Sequence, residues 1–306
     1  MTIYHTPVMV DEVITALQVK PGGKYIDGTA GEGGHSLAVL DAATPAPRIL
    51  CIDMDGDALG TAEERMRGYS SNAQTRRGSY AEVVRIAEET GYMGADGMLL
   101  DLGLSSLQLD RGERGFSFRQ EADLDMRFDT TQSLTADTIV NQYSEEELAN
   151  IIYQHGEERR SRRIARAIVG SRPVRTTAQL AEIVTNSIGR QRGRIHPATR
   201  TFQAVRIAVN DELGNIHRGL EGAIDTLGAD GRLAVIAYHS LEDRIVKNTL
   251  RRMASECICP PSLPYCQCEH VPTVRIINRR VIRPSREEQQ ANPRSRSARL
   301  RIAERL

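Results

Sequence analysis

Near its N-terminus the chain carries a glycine-rich run, Asp27-Gly28-Thr29-Ala30-Gly31-Glu32-Gly33-Gly34-His35. The run follows an apolar stretch that ends at Tyr25-Ile26 and precedes a helix-like segment from Ser36 to Leu40. A strand that turns through glycines into a helix lets the backbone approach a ligand, and the helix N-terminus offers free N–H groups. This order of elements predicts a nucleotide-type pocket, and a turn with only a structural role is the alternative.

The spacing of the glycines bears on which nucleotide is bound. The dinucleotide fingerprint G-x-G-x-x-G is absent, which disfavours an NAD-dependent dehydrogenase. The run opens instead with the carboxylate of Asp27, which suits a positively charged ligand such as S-adenosylmethionine, with its amine and sulfonium. A second apolar strand ends at Asp53, 20 residues after Gly33, where a carboxylate can accept hydrogen bonds from two ribose hydroxyls.

Strand-like and helix-like segments alternate through the first hundred residues, which predicts an α/β fold with a doubly wound parallel sheet. A fourth strand ends at Asp101, and the carboxyl ends of parallel strands line the ligand crevice. We therefore expect Asp27, Asp53 and Asp101 to converge, with Asp101 placed to orient an amino nucleophile or relay its proton. The predicted strands are 24–26, 48–53, 74–77 and 97–101, and the predicted helices between and before them are 6–17, 58–67 and 80–89.

The alternation breaks after about Ser106, and a wholly helical stretch follows. Ser144 with Glu147 has the capping-box pattern of a helix start. Sheet character returns with an apolar strand at 231–238, a helix capped by Ser240 and a closing antiparallel pair at 274–282 and 298–304. The chain is thus predicted to hold an inserted helical domain, 107–210, within a discontinuous domain made of 1–106 and 211–306.

Charge is balanced overall, with 40 basic and 40 acidic residues, but it is unevenly distributed. Residues 157–206 hold twelve arginines and three acids, a surplus of nine positive charges, and residues 275–306 hold ten arginines and three glutamates, a surplus of seven. Such blocks indicate a polyanion site, although a solvated helix face is the alternative. Arg200 and Arg206 could hold phosphate or form structural ion pairs.

No apolar run approaches the ~18 residues of a membrane span, and no secretory signal is present, so we expect a cytoplasmic protein without a membrane partner. Four cysteines form a C-x-C…C-x-C pattern at Cys257, Cys259, Cys266 and Cys268. They could hold a structural zinc ion or form a metal-free loop, and both possibilities stay open. We expect no metal ion in the nucleotide pocket.

Several long motifs resemble the bacterial 16S rRNA cytosine N4-methyltransferase family, and the similarity runs from His5 to the C-terminus. The resemblance implies a class I, Rossmann-like methyltransferase sheet with an inserted all-helical substrate-recognition domain. It also implies S-adenosylmethionine as methyl donor and the exocyclic N4 of a P-site cytosine in 16S rRNA of the small ribosomal subunit as acceptor. The motifs are Asp27–His35, Asp101–Gln108, Glu113–Phe118, His196–Arg206, His239–Arg244 and Asn292–Ser297.

The resemblance also assigns roles to single residues. Gly33, Gly34 and His35 would contact the donor, Asp53 would hold its ribose, and Asp101 and Gln108 would line its adenine and methyl end. Tyr80 stands where the family often has phenylalanine, so its ring would pack on adenine. Asp101 is the predicted catalytic residue.

A flipped cytosine needs stacking partners, and aromatic or arginine faces supply them. Phe116, Phe118 and His239 are candidates from their positions, and each could equally be a core or cap residue. A non-catalytic RNA-binding or assembly factor on the same scaffold is the remaining rival function. The intact glycine turn, Asp53 and Asp101 weigh against that rival.

Overall fold

The computed structural model describes residues 6–104, 112–189, 196–260, 263 and 265–306. The chain divides into two compact units. The first, the sheet unit, comprises Met1–Gly103 and Leu213–Leu306. The second, the helical unit, comprises Leu104–Glu212.

Within the described residues, seven strands of the sheet unit form one sheet in the order β3-β2-β1-β4-β5-β7-β6. The pairings among β1 to β5 are parallel, and β7 runs antiparallel to both β5 and β6. Because the strand order reverses between β1 and β4, the carboxyl ends of these two strands flank the switch point where ligands of open α/β sheets bind. The bounds are β1 Lys24–Asp27, β2 Arg48–Asp53, β3 Ala73–Arg77, β4 Ala95–Asp101, β5 Leu227–Ala237, β6 Val274–Ile276 and β7 Arg299–Arg305.

The strands of this sheet are apolar on both faces because helices cover both sides. Ile49 and Cys51 of β2 belong to one hydrophobic cluster, whereas Leu50 and Ile52 belong to the other. This alternation follows from the two-residue period of a strand, and it explains why β2 reads as a continuous apolar run. The helices of this part of the chain are α1 Val10–Leu17, α2 Gly34–Asp41, α3 Gly56–Arg65, α4 Val83–Thr90, α10 Glu212–Thr226, α11 Ser240–Met253 and α12 Arg286–Ala291.

The structure confirms the doubly wound sheet and corrects some element boundaries. Helix α1 begins at Val10 rather than at Thr6, because Met9 adopts a left-handed conformation (φ 56°) and interrupts the helix there. Helix α10 was not predicted from the sequence, and β5 begins at Leu227, four residues before the predicted start. Helix α11 is capped by His239 rather than by Ser240, since His239 and Glu242 form a reciprocal capping box.

The helical unit has its own hydrophobic core, to which Ile139, Leu148, Ile164 and Phe202 contribute. The capping box of Ser144 and Glu147 starts the helix Glu145–Gly156, as predicted. None of the helices among the described residues of either unit is both long and apolar enough to cross a membrane. The helices of this unit are α5 Ala136–Gln142, α6 Glu145–Gly156, α7 Ser161–Gly170, α8 Thr177–Ile188 and α9 Thr199–Asn210.

Candidate functional site

The glycine turn after β1 has a backbone shape that favours glycine. Gly31 (φ 51°) and Gly33 (φ 75°) lie in the left-handed region, where side chains with a Cβ are strained. A Cβ on Gly33 would also lie 3.0 Å from the Cβ of Ala62 in α3, and Gly33 is the N-cap residue of helix α2. A Cβ on Gly34 would lie 3.0 Å from the Pro7 ring. The turn therefore places backbone without side chains at the carboxyl edge of the sheet.

Asp53 links the end of β2 to this turn. Its Oδ2 accepts a hydrogen bond from the N–H of Gly31 (2.8 Å), and its Oδ1 accepts one from the N–H of Asp55 (2.9 Å). Burial raises the pKa of Asp53 to about 6, against the opposing effect of these two N–H donors. Each carboxylate oxygen keeps acceptor capacity, so Asp53 can still receive a ligand's hydroxyl groups.

Asp27, at the end of β1, is only 2% exposed. Its carboxylate accepts hydrogen bonds from the Ser36 hydroxyl (2.7 Å) and from the N–H of Thr29 (3.1 Å). The Sγ of Cys51 lies 3.3 Å from the same Ser36 hydroxyl. Burial raises the pKa of Asp27. Asp27 therefore fixes the first turn of α2 to the strand that precedes it.

Asp101 ends β4 and is surrounded by partners from three other segments. Its Oδ1 accepts a hydrogen bond from the Tyr238 hydroxyl at 2.8 Å, and its backbone N–H donates to the Thr29 hydroxyl at 2.6 Å. Its Oδ2 lies 3.7 Å from Nδ1 of His35. Burial raises the pKa of Asp101 to about 6, and His35 and the Tyr238 hydroxyl lower it. Asp101 is therefore a carboxylate held in one orientation and ionised at neutral pH.

His35 is 6% exposed and lies in the first turn of α2. Its Nε2 is 2.8 Å from the carbonyl oxygen of Val8. Because a carbonyl oxygen can only accept, Nε2 carries a proton, which leaves Nδ1 directed at Asp101. The 3.7 Å between this nitrogen and Oδ2 of Asp101 exceeds hydrogen-bond range, so His35 acts on the Asp101 carboxyl only through charge, which lowers its pKa.

Tyr80, the predicted adenine partner, begins a short 3₁₀-helix three residues after the last residue of β3, at the same edge of the sheet. Its ring packs against α10 so closely that a Cβ on Gly219 would lie 2.3 Å from Cδ2 of the ring. Tyr80 is half-buried against the hydrophobic cluster of that face. Gln108, the other residue predicted at the methyl end, lies outside the described residues.

The three carboxylates share one electrostatic environment. The negative charge of Asp27 raises the pKa of both Asp53 and Asp101, in addition to the larger effect of burial. A cluster of partly desolvated acids destabilises its own ionised form, and a cation brought among them relieves this cost. The edge of the sheet therefore suits a ligand that carries positive charge and hydroxyl groups. Sequence reasoning found the three acids but missed Tyr238, which directly follows the last residue of β5.

The aromatic candidates for base stacking have structural partners. Phe116 is buried in the core of the helical unit and stacks on Phe128, with 5.6 Å between ring centroids. Phe118 stacks on His196 at 4.4 Å. His239 is the helix cap described above. For Phe116 and His239 the structure thus favours the core and cap interpretations.

Among the described arginines of 157–206, some have a partner for the guanidinium group and others do not. Arg206 is 13% exposed and forms a bidentate ion pair with Glu212 (2.7 and 2.9 Å), so the structure favours its role as an ion pair over a phosphate contact. Others bond to carbonyls near helix C-termini, such as Arg160 to Ile188 at 3.0 Å. Four further arginines are exposed, and their guanidinium groups bond to no side chain or carbonyl in the described part of the chain: Arg159, Arg162, Arg163 and Arg175.

Comparison with known proteins identifies the family. A family model described as the MraW methylase family matches residues 2–306. A Dehalococcoides mccartyi protein is 52% identical over 302 residues (99% of this chain, 86% of that protein). A Geobacter sulfurreducens protein is 49% identical over 311 residues (100% of both chains), and a Symbiobacterium thermophilum protein is 48% identical over 312 residues (100% of this chain, 98% of that protein). All three relatives are named Ribosomal RNA small subunit methyltransferase H. With a match over nearly its whole length and relatives that share about half of its residues, this chain belongs to the MraW methylase family and is a methyltransferase.

Proposed function

We propose that this enzyme transfers the methyl group of S-adenosylmethionine to the exocyclic N4 of a P-site cytosine in 16S rRNA of the small ribosomal subunit. The observation that carries the proposal is the set of three carboxylates at neighbouring strand ends, which suits a ligand with an amine, a sulfonium and a ribose. The names of the relatives support ribosomal RNA as the acceptor. The exact nucleotide rests on the motif resemblance.

The donor would bind along the glycine turn. Gly33, Gly34 and His35 would contact it, because two of these positions lack a Cβ and all three lie at the start of α2. Asp53 would accept hydrogen bonds from the two ribose hydroxyls while its Oδ2 also accepts one from the N–H of Gly31. Tyr80 would pack on adenine, and Gln108 with Asp101 would line the adenine and methyl end. The bound donor supplies an electrophilic methyl group on sulfur.

Asp101 would act on the acceptor. The lone pair of the cytosine amine is delocalised into the ring, so in-line placement of nitrogen and methyl matters more than a strong base. Asp101 would accept a hydrogen bond from the amine, which localises the lone pair. As the N–CH₃ bond forms and the S–CH₃ bond breaks, nitrogen gains positive charge and must lose a proton. A carboxylate with a pKa of about 6 can take that proton and release it to solvent.

Tyr238 acts as a positioning residue in this scheme. Its hydroxyl donates a hydrogen bond to Oδ1 of Asp101. This bond keeps the carboxylate in one rotamer, so that acceptance of the amine hydrogen bond costs little further ordering. A cysteine nucleophile is not required for methylation of an exocyclic amine.

The helical unit would recognise RNA through its exposed arginines. Arg159, Arg162 and Arg163 lie at the N-terminal end of α7, where the helix dipole disfavours cations. Their placement therefore costs stability, and an anion bound there would offset the cost. This supports a phosphate-binding role for this group rather than for Arg206.

Two experiments test the proposed function. Mass spectrometry of 16S rRNA from cells that lack the gene should reveal the loss of one methyl group from a cytosine, and restoration of the gene should return it. The purified enzyme should transfer labelled methyl groups from S-adenosylmethionine to small subunits or their RNA. Normal RNA binding without any methyl transfer to either substrate would instead favour the non-catalytic assembly factor.

A further inference from the structure

The loop between α11 and β6 brings four thiols together on the surface of the sheet unit. It contains the two C-x-C pairs, Cys257 with Cys259 and Cys266 with Cys268, and all four sulfurs lie within 4.8 Å of one another. The four thiols are far from the sheet edge in sequence and play no part in the chemistry proposed above. Their convergence therefore needs its own explanation.

The sulfur separations fit one shared metal ion. The sulfurs of Cys266 and Cys268 are 3.6 Å apart, and those of Cys268 and Cys257 are 3.9 Å apart. A disulfide would need about 2.05 Å. Four sulfurs bound tetrahedrally to zinc at about 2.3 Å lie roughly 3.8 Å from one another. The observed separations match the edges of such a tetrahedron, with room for one ion and not for a larger cluster.

Backbone N–H groups point at the sulfurs, as they do around bound thiolates. Ile258 donates to Cys268 (3.4 Å), Cys259 donates to Cys257 (3.4 Å), and Gln267 donates to Cys259 (3.3 Å). A thiol is a weak acceptor, whereas a metal-bound thiolate keeps negative charge that such donors stabilise. The backbone of both C-x-C pairs is thus arranged for anionic sulfur.

The described residues of the loop form no hydrophobic core of their own, and among them Ala254, at the start of the loop, packs against the core of the sheet unit. Residues 254–273 separate α11 from β6, and none of those that the structure describes is buried. The loop instead exposes apolar side chains, among them Tyr265 at 80% and Val271 at 71%. Its base is closed by a backbone hydrogen bond from Thr273 to Met253 (2.9 Å). A segment of this length whose described residues show neither a buried core nor secondary structure needs another source of order, and small folds often obtain it from a metal.

We propose that Cys257, Cys259, Cys266 and Cys268 bind one structural Zn²⁺ ion that orders the loop 254–273. Four thiolates in a closed tetrahedral set leave no open position for water or substrate, so the ion is structural rather than catalytic. The proposal leaves the donor site unchanged and is independent of the proposed function.

Metal analysis and thiol counting test the proposal. The full chain, purified without a metal-binding tag, should contain one zinc ion per molecule, and its thiols should resist a thiol reagent until a chelator is added. After chelation four thiols should react, and Cys51, which is buried, should react only after unfolding. Cobalt substitution should give the visible absorption of a tetrahedral thiolate complex.

A matched pair of variants separates the cluster from the remaining cysteine. Cys259→Ser should lose the zinc, whereas Cys51→Ala should keep it. Hydrogen exchange in 254–273 should rise in Cys259→Ser and in the chelated protein, while exchange in β1 to β4 stays the same. Zinc-free protein, iron in place of zinc, disulfides among the four cysteines, or full zinc content in Cys259→Ser would each overturn the proposal.

Discussion

The carboxyl edge of the sheet and the arginine-rich segment 157–206 carry opposite charge, and they differ even more in how that charge is held. Asp27, Asp53 and Asp101 are fixed by hydrogen bonds from backbone N–H groups and hydroxyls, and burial raises their pKa values. Arg159, Arg162 and Arg163 are exposed. Under the proposed function, the edge of the sheet holds one small ligand in a single pose, whereas the exposed arginines bind a long polyanion that can lie in many positions.

The comparison also shows that a charge count does not identify a binding surface. The segment 157–206 has a surplus of nine positive charges. The guanidinium groups of Arg160, Arg172 and Arg206, however, are bound by partners within the helical unit. Arg160 and Arg172 bind carbonyl groups near helix ends, and Arg206 forms an ion pair with Glu212. Three of the exposed, described arginines, Arg159, Arg162 and Arg163, lie at the start of α7, and this placement is more informative than the total charge.

The largest effect is expected from Asp101→Asn. The amide is a weaker acceptor and cannot take the proton, so turnover should fall by about 10³-fold, within the range for general acid–base groups. The Kd for S-adenosylmethionine should stay within a few-fold of the wild-type value, which calorimetry can check. Glu64→Gln, which removes a carboxylate from an exposed pair with Arg67, is the matched control and should keep full activity. Full turnover in Asp101→Asn would exclude Asp101 from the chemistry.

Asp53→Asn should weaken donor binding by about 100-fold, because two hydrogen bonds to a charged acceptor are lost or weakened, each worth about 1.5–3 kcal/mol. Affinity should also depend on pH in the wild-type protein. The folded-state pKa of Asp53 is raised to about 6, so the carboxylate gains a proton as the pH falls through 6 and donor affinity drops. The variant should respond less to pH over the same range. An unchanged Kd in Asp53→Asn would remove Asp53 from the donor site.

Gly33→Ala should destabilise the sheet unit by about 2 kcal/mol, from the left-handed conformation and the contact with Ala62. Gly60→Ala is the control within α3, where a Cβ meets nothing within 4 Å. It should stabilise the protein by about 0.5–1 kcal/mol through helix propensity. Chemical denaturation measures both changes. Equal effects of the two substitutions would mean that the turn does not require glycine.

Replacement of Arg159, Arg162 and Arg163 by alanine should weaken RNA binding by about 10-fold and lower the salt dependence of log Kd by about 2, as for three phosphate contacts. Arg85→Ala, at an exposed arginine paired with Glu82 and Glu89, is the control and should change neither quantity. Filter binding at several salt concentrations measures both. An unchanged salt slope in the triple variant would refute this surface as the phosphate contact.

An effect no larger than that of the arginine variant is expected from Tyr238→Phe, which removes one hydrogen bond to Asp101. Because that bond lowers the pKa of Asp101, its loss should move the acidic limb of the pH–rate profile to higher pH. Turnover near neutral pH should fall by roughly 10-fold, as expected for loss of one hydrogen bond to a charged group. A lower rate with an unmoved pH profile would indicate packing damage instead.

The sequence predicted most of this architecture because its signals were local. Strand β2 was predicted with its observed bounds, since an apolar run between polar ends is typical of a strand covered on both faces. Tyr238 was missed as a site residue because its role depends on the pairing of β4 with β5, which are far apart in the chain. The use of Arg206 in an ion pair likewise depends on tertiary structure.

Calorimetric titration of S-adenosylmethionine into three proteins tests the central claim most directly. The account predicts that the wild-type chain and the triple arginine variant bind one donor with equal Kd, and that Asp53→Asn binds about 100-fold more weakly. Absence of donor binding to the wild-type chain would contradict it, and so would a triple arginine variant that loses as much donor affinity as Asp53→Asn.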